Sequence, residues 1–267
     1  MTENTGSQAL QGHIPVEQAL IIERFRKLKM IGLANELEDQ FRNYNIFGSM
    51  PFEKRLLKCL DYQDSYAREA RFKSLFKSSH LRGKLYLNQI SPDESRGLYA
   101  DDLAILAEAH YLDRAVNFII SGATGTGKTA LATAAAISAM EHGRTALFYN
   151  TADLCSLLQA KDNGSFATFK ERVRKVALFI VDDLGIAKLN DLCAMRLYEL
   201  IDARYNAGST IITTQLKPDN IRECFPEGTL RDAIVDRLIR DCDRKIILSG
   251  LSWRGNAQEI NGVRNNV

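Results

Sequence analysis

The stretch GATGTGKT at residues 122–129 constrains this chain more than any other feature of it. It fits the spacing G-x-x-x-x-G-K-[ST] of a phosphate-binding loop without a mismatch. The apolar, β-branched run 117–121 before it predicts a buried strand, and the Ala-rich run 130–142 after it predicts a helix ending at Gly143. Strand, Gly-rich turn and helix form the context that the motif requires, so the chain is predicted to bind a nucleoside triphosphate.

Each part of this loop has a chemical reason. Glycine permits positive φ and close backbone approach, so that successive N–H groups and the amino end of the helix face the phosphates. Lys128 is predicted to bridge the β- and γ-phosphates of ATP, and the Thr129 hydroxyl to bind Mg²⁺. The residues assigned to ATP binding are Gly122, Ala123, Thr124, Gly125, Thr126, Gly127, Lys128 and Thr129.

A second acidic site follows the apolar run ALFIV at 177–181, which ends in Asp182 and Asp183. A buried strand carries such carboxylates to the edge of a sheet beside the phosphate loop. Asp182 is therefore assigned to the Mg²⁺ shell, and Asp183 to orienting or deprotonating the attacking water. An acidic helix cap or turn is the alternative interpretation. Two adjacent acids favour hydrolysis by water over phosphate transfer to a small acceptor.

Two further segments carry candidate catalytic groups. The strand candidate STIIT at 209–213 ends in Thr213 and leads to Thr214 and Gln215, and a polar side chain at any of these positions can bond the γ-phosphate or the lytic water. The segment 230–244 contains several arginines: Arg231, Arg237, Arg240 and Arg244. They form either a solvated helix face or an arginine finger that reaches the γ-phosphate of a neighbouring subunit.

Strands and helices alternate after the phosphate loop, with further strand candidates at 145–149 and 244–248. Continuous apolar strands that alternate with helices predict an α/β fold with a parallel sheet covered on both faces. Helical periodicity dominates the chain before residue 90. The predicted organisation is a flexible amino terminus (1–15), a helical DNA-binding domain (16–90), an ATPase domain (95–260) and a C-terminal tail (261–267).

Composition sets outer limits on function. The chain has 267 residues and a formal net charge of +2, so any basic surface that binds nucleic acid must be a local cluster of residues. Its five cysteines are scattered without a C-x-x-C pair, which predicts reduced, packed thiols and no structural zinc. The sequence shows no long apolar stretch or signal peptide, and a cytoplasmic protein without membrane contact is expected.

Taken together, the motifs resemble the IstB family. The similarity is carried by the run from 96 to 134 around the phosphate loop, by LFIVDDLGIAKL, by STIITTQL and by GTLRDAIVDRLIRDCDRKIILSGLSWR. IstB proteins are AAA+ ATPase helpers of insertion-sequence transposases, related to DnaC helicase loaders and the DnaA initiator. The resemblance implies an AAA+ P-loop core behind a small all-α domain. It also implies ATP-dependent homo-oligomers, with ATP at subunit interfaces, that bind and deform duplex DNA and engage a transposase.

The resemblance also assigns residues. Gly122, Gly127, Lys128 and Thr129 match the Walker A motif, and Asp182 and Asp183 match Walker B. Thr214, with Gln215 beside it, matches the sensor-1 region, Arg237 the arginine finger, and Arg254 a sensor-2-like position. The chain departs from the family pattern in Ala123, where Pro is common, and in Trp253 beside Arg254.

Basic residues on the amino-terminal helices are the candidate DNA contacts. Taken alone they suggest solvated helix faces, whereas the family resemblance favours a phosphate-backbone footprint. No base-reading module is visible, so binding is expected to be sequence-independent and sensitive to salt. The assigned residues are Arg24, Lys27, Arg68, Arg71, Lys73, Lys77, Arg82 and Lys84.

Three other functions compete with a transposition helper. A DnaC-like replicative helicase loader shares the ATPase motifs but favours single-stranded DNA and a hexameric helicase. A P-loop kinase for a small metabolite is disfavoured by the paired acids and the arginine-rich segment. The third alternative is an ATP-binding scaffold with negligible turnover.

Overall fold

The computed structural model describes residues 14–240 and 242–250, apart from the side chains of Leu230, Ile239 and Arg240. The chain divides into two compact units, Met1–Lys73 and Ser74–Val267. This division comes earlier in the chain than the boundary predicted at residue 90. The segment 1–15 falls almost wholly, and 261–267 entirely, outside the described residues.

The first unit is helical, as the sequence predicts. It contains α1 (Val16–Lys27), α2 (Ile31–Arg42), α3 (Tyr44–Phe47) and most of α4 (Phe52–Ser78), which continues through the division.

Helices α2 and α4 approach each other closely at Gly32. A Cβ atom at Gly32 would lie 2.7 Å from the Tyr66 Cβ, so only glycine fits this crossing. The backbone N–H of Leu33 donates to Gln63 Oε1 at 3.1 Å beside it. Together with buried Ile22 and Cys59, these contacts give the unit a small core of its own.

The second unit is built on five strands, each where the sequence predicts one. They are β1 (Phe118–Gly122), β2 (Ala146–Asn150), β3 (Leu178–Leu184), β4 (Ser209–Thr214) and β5 (Arg244–Leu248). The helices of this unit are α5 (Ala100–Glu108), α6 (Lys128–Glu141), α7 (Thr151–Ala160), α8 (Asn163–Lys175), α9 (Asp191–Asp202) and α10 (Thr229–Val235), the last followed by a π-helical turn, Asp236–Arg240.

All strand pairs are parallel, and the sheet order is β2-β3-β4-β1-β5. Strand β3 is buried almost throughout, as expected for a central strand of a sheet covered on both faces. Helices α7, α8 and α9 share one apolar cluster with Ile119 and Phe179, while alternate side chains such as Ile120 point to the face that α6 contacts. The predicted α/β fold is confirmed.

The segment after α4 belongs to the second unit because it bonds to the edge strand β2. The backbone N–H of Phe148 donates to the Ser79 carbonyl at 2.8 Å, and the His80 ring lies 3.1 Å from the Tyr149 hydroxyl. Arg82 adds an ion pair with Asp153 at 3.0 Å. These contacts explain why the observed division precedes residue 90.

The cysteines differ from expectation in one respect. Cys155 on α7 and Cys193 on α9 form a disulfide, so the prediction that all five thiols are reduced is wrong for this pair. Side chains 38 positions apart in sequence meet only because α7 and α9 pack side by side. Cys59 and Cys224 are buried and form no disulfide, as predicted.

No helix within the described part of the chain combines the length and the apolar character needed to cross a membrane.

Candidate functional site

The phosphate-binding loop connects β1 to α6 at the carboxyl edge of the sheet. Gly122, Gly125 and Gly127 all have positive φ, at 155°, 84° and 100°. At Gly122 a Cβ would also lie 2.3 Å from the Leu248 carbonyl oxygen of β5. Glycine is therefore required here both by backbone conformation and by the close approach of a neighbouring strand.

Two loop side chains converge on the Ala123 carbonyl. Lys128 Nζ donates to it at 2.9 Å, and Thr126 Oγ1 donates at 2.9 Å. Lys128 is the first residue of α6 and is only 5% exposed, so its ammonium group is confined to the inside of the loop. This confinement suits a cation that must meet phosphate oxygens bound by the same loop.

Walker A and Walker B meet through Thr129 and Asp182. The Thr129 hydroxyl lies 3.0 and 3.1 Å from the two carboxylate oxygens of Asp182. Thr213 on β4 donates to Asp182 Oδ1 at 2.6 Å, which orients the carboxylate. A hydroxyl beside a carboxylate offers the hard oxygen ligands that Mg²⁺ prefers, so these residues fit the predicted metal.

Burial raises the pKa of Asp182 above its usual value. The negative charge of Asp183 adds to the rise, while hydrogen bonds from Thr213 and Thr129 and the charge of Lys128 oppose it. A bound divalent cation favours the ionised form of such a carboxylate. The site is therefore arranged so that a cation relieves an unfavourable buried charge.

Asp183 has a backbone conformation that is unusual for its residue type. Its φ is 59°, in the left-handed region, and its N–H donates to Thr213 Oγ1 at 2.8 Å. A non-glycine residue in this region is strained and persists when its surroundings hold it. Thr213 thus fixes both members of the acidic pair, a role that the sequence did not assign to it.

The side chain of Thr214 points away from the phosphate loop. Thr214 is fully buried, and its hydroxyl donates to the Leu184 carbonyl at 2.6 Å. This hydrogen bond holds the Thr214 hydroxyl within the sheet and argues against its assignment as the sensor. The next residue, Gln215, instead lies beside the loop, and its Oε1 accepts a hydrogen bond from Thr124 at 2.9 Å.

A cavity of about 610 Å³ adjoins the phosphate loop, a size typical of small-molecule sites. Its walls include Ile90, Pro92, Leu98, Gly127, Leu131 and Leu248. Arg96, also in the wall, donates to the Thr126 carbonyl at 3.3 Å. Residues 91–97, SPDESRG, are mostly polar, and nothing in that local pattern indicates which loop they will contact.

Arg237 lies at the opposite edge of the sheet from the phosphate loop. It lines a small cleft with Asn117, which immediately precedes β1, and Thr210, the second residue of β4. Strand β1 has five residues, so its two ends are roughly 13 Å apart at the usual rise of about 3.3 Å per residue. Arg237 is therefore remote from the phosphate loop of its own chain.

All of the predicted DNA-contacting basic residues are exposed. Several of them have acidic neighbours: Lys27 pairs with Glu23 at 2.7 Å, Lys73 with Glu69 at 2.7 Å and Arg82 with Asp153 at 3.0 Å. Such surface pairs are weak and leave the basic groups accessible to phosphate. The predicted nucleotide contact Arg254 lies outside the described residues.

Comparison with known proteins agrees with this geometry. A 199-residue stretch is 32% identical to a protein of insertion sequence IS1162 from Pseudomonas fluorescens, named as ATP-binding, and covers 73% of this chain and 85% of that protein. The corresponding protein of IS232 from Bacillus thuringiensis subsp. berliner is 25% identical over 228 residues, which cover 85% of this chain and 90% of the relative.

Solved structures share the fold at lower identity. The DnaC helicase loader superposes with a TM-score of 0.50 and 21% identity, covering 66% of this chain and 99% of the loader. AMPPCP-bound DnaA from Aquifex aeolicus superposes with a TM-score of 0.54 and 17% identity, covering 71% of this chain and 58% of DnaA.

The model of the IstB-like ATP binding protein family, associated with IS21, matches residues 24–259, which is most of the chain. This match includes the phosphate loop, both acids, Gln215 and Arg237. The chain belongs to the IstB-like ATP-binding protein family.

Proposed function

We propose that this protein is an Mg²⁺-dependent ATPase that assembles with copies of itself on duplex DNA and assists an insertion-sequence transposase. One observation carries the ATPase part: Thr129 and Asp182 are in contact at the phosphate loop with Asp183 next in the chain, while Arg237 lies at the opposite edge of the sheet. The insertion-sequence context of the relatives supports a transposase partner.

The residues of one chain perform most of the hydrolytic work. Backbone N–H groups of the loop and Lys128 hold the phosphates, and the cavity beside Arg96 receives the nucleoside. Thr129 and Asp182 hold Mg²⁺, which when bound neutralises charge developing on the phosphates. Asp183 orients the attacking water and accepts its proton. Gln215 contacts the γ-phosphate from the end of β4.

A second copy of the chain supplies the remaining positive charge, the guanidinium group of its Arg237. An arginine that stabilises charge on the transferred phosphoryl group contributes about 10³–10⁵ to the hydrolysis rate. Because Arg237 is a strand length away from its own loop, it serves a neighbouring subunit. Hydrolysis then depends on assembly, and the DNA-bound state is coupled to the nucleotide.

Duplex DNA is the partner that the exposed basic residues of the amino-terminal helices fit. Arg68, Arg71 and Lys73 are exposed on α4. Contacts of this kind bind the phosphate backbone without reading bases. ATP-dependent assembly gathers many such weak contacts onto one duplex, which raises the affinity of the whole.

The test compares duplex and single-stranded DNA of equal length, with and without ATP, in wild-type protein and in Lys128→Ala. We expect an ATP-dependent preference for duplex that Lys128→Ala loses. Arg237→Ala is expected to bind ATP normally but to hydrolyse it at least about 10³-fold more slowly. Thermal unfolding of each variant serves as the folding control.

Other outcomes would identify the rivals. A preference for single strands in the ATP state contradicts the transposition-helper proposal and favours a helicase loader. Phosphate transfer to a small acceptor favours a metabolite kinase. Normal assembly of Lys128→Ala on duplex DNA with ATP would disprove the coupling between nucleotide and assembly.

A further inference from the structure

Within the part of the chain that the structure describes, Arg237 contacts two neighbours from one segment. Its Nε lies 3.2 Å from Asp202 Oδ1, and its guanidinium carbon lies 4.5 Å from the centroid of the Tyr205 ring. Asp202 is the last residue of α9, and Tyr205 follows in the turn after it. The guanidinium is thus contacted at an edge by a carboxylate and on a face by an aromatic ring.

The placement of these partners is not explained by folding stability. Arg237 and Asp202 have side-chain exposures of 35% and 46%, and an ion pair this exposed contributes little to stability. An acid in the last turn of a helix also opposes the helix dipole. Tyr205 is 54% exposed, so its ring is not a core residue. The contacts of Asp202 and Tyr205 with Arg237 are therefore better explained by an effect on what Arg237 does.

The backbone that carries Arg237 is also locally distinctive. Arg237 lies in a π-helical turn, a geometry that is frequent at functional sites. The next residue, Leu238, is buried at 5% exposure and anchors the turn. With the backbone anchored and the guanidinium contacted on an edge and a face, few orientations of this long side chain remain.

We propose that Asp202 and Tyr205 are positioning residues that orient Arg237 for insertion into the ATP site of a neighbouring copy. This inference rests on the proposed function, in which Arg237 acts in trans. Holding a catalytic group in its reactive geometry before the subunits meet removes conformational freedom that must otherwise be lost in the transition state. In this proposal Asp202 and Tyr205 act only through Arg237 and contact neither the nucleotide nor the attacking water.

The first experiment measures steady-state ATP hydrolysis at saturating ATP and protein. We expect Asp202→Asn and Tyr205→Leu each to lower kcat about tenfold, a smaller loss than in Arg237→Ala, with little change in KM for ATP. Tyr205→Phe keeps the ring and is expected to retain the wild-type rate. Glu199→Gln is the matched control, because it removes a half-buried ion pair of α9, with Lys170 of α8 at 2.6 Å, in which Arg237 takes no part.

A mixing experiment separates positioning in trans from damage to the local structure. Asp202→Asn is mixed with Asp183→Asn, which keeps Arg237 and the phosphate loop but lacks the water-orienting acid. Asp183→Asn neighbours then present a correctly held Arg237 to the intact ATP sites of the Asp202→Asn subunits. The rate per Asp202→Asn subunit is expected to rise severalfold towards the wild-type value.

Three results are decisive against the inference. Wild-type rates in both Asp202→Asn and Tyr205→Leu, with Arg237→Ala inactive, overturn the positioning role and leave the proposed function intact. A faster rate in Asp202→Asn shows that the ion pair restrains Arg237 and overturns it as well. A wild-type rate in Arg237→Ala removes the trans mechanism, and the positioning role with it.

Discussion

The buried side chain of Asp182 makes the folding stability of this protein depend on pH, and we expect it to depend on Mg²⁺ as well. Asp182 is 3% exposed and accepts hydrogen bonds from Thr129 and Thr213. Its raised pKa means that the folded chain holds the Asp182 proton more tightly than the unfolded chain does. By linkage, this group's contribution to stability is fully present below the ordinary Asp pKa and is lost as pH rises through the folded value.

We therefore expect Asp182→Asn to gain stability relative to the wild type as pH rises from 4 to 7 in the absence of nucleotide. The neutral amide carries no charge to desolvate, so it lacks this pH-dependent loss. Thermal unfolding across this pH range measures the difference. With ATP and Mg²⁺ the wild type should become the more stable of the two, because only its Asp182 carboxylate binds the metal. A pH-independent difference would contradict this account.

Gln215 and Thr214 are adjacent but have opposite environments, which predicts different consequences of mutation. Gln215→Ala is expected to lower kcat by about 10- to 100-fold, since a hydrogen bond to a charged group is worth about 1.5–3 kcal/mol. Thr214→Val leaves the Leu184 carbonyl without its donor and should destabilise the fold by about 1–3 kcal/mol. Hydrolysis rates and denaturant unfolding distinguish the two. A larger kcat loss in Thr214→Val at equal folded fraction would restore Thr214 as the sensor.

At the level of elements, the segment before α5 is hydrogen-bonded to the residue that follows β5, at the wall of the cavity beside the phosphate loop. The Ser249 N–H donates to the Arg96 carbonyl at 2.9 Å, and Gly97 faces the Ile247 carbonyl. The loop, this segment and the end of β5 thus form one structural group around the cavity. Its parts are far apart in sequence, and only the order of strands brings them together.

Gly97→Ala is expected to destabilise the protein by at least about 1 kcal/mol and to weaken ATP binding. Gly97 has φ at 75°, which costs a residue with a side chain about 1–3 kcal/mol, and its Cβ would lie 2.1 Å from the Ile247 oxygen. Gly83→Ala is the control, because no heavy atom lies within 4 Å of a Cβ there. Denaturant midpoints and nucleotide titration measure both effects; equal behaviour of the two variants would refute the argument.

At the scale of the whole molecule, the proposed activities are carried by different parts of the chain. The ATP site is built within Ser74–Val267, whereas Arg24, Lys27, Arg68, Arg71 and Lys73 belong to Met1–Lys73. The proposed arginine finger makes hydrolysis a property of an assembly and not of one chain. Salt should therefore affect DNA binding more directly than it affects nucleotide binding.

We expect duplex affinity in the ATP state to fall linearly on a log–log plot against salt concentration. Lys77→Gln removes one exposed cation and should reduce the slope by about 0.9, the value for one phosphate contact. Lys175→Gln on α8, where Lys175 pairs with Glu171 at 3.2 Å, should leave the slope unchanged. Binding titrations at several salt concentrations provide the slopes, and an unchanged slope in Lys77→Gln would exclude that residue as a contact.

Features that depend on local pattern were readable from the order of residues alone. Apolar runs specified all five strands, and the spacing of Gly122, Gly127, Lys128 and Thr129 specified the phosphate loop. Asp182 and Asp183 were identifiable because ligands of parallel α/β sheets bind beside the carboxyl ends of the strands, where these two acids follow an apolar run. These signals are local, since backbone conformation and burial impose them within a few residues.

Tertiary structure decided which distant groups meet. Thr214 bonds within the sheet, whereas the next residue, Gln215, bonds to the phosphate loop. Side chains alternate between the two faces of a strand, and the strands paired with β4 fix which face each residue occupies. Tertiary structure also joined Cys155 to Cys193 and placed Arg237 on Asp202, a strand length from its own loop. Such contacts arise from sheet order and helix packing, which the spacing of residues along one chain does not encode.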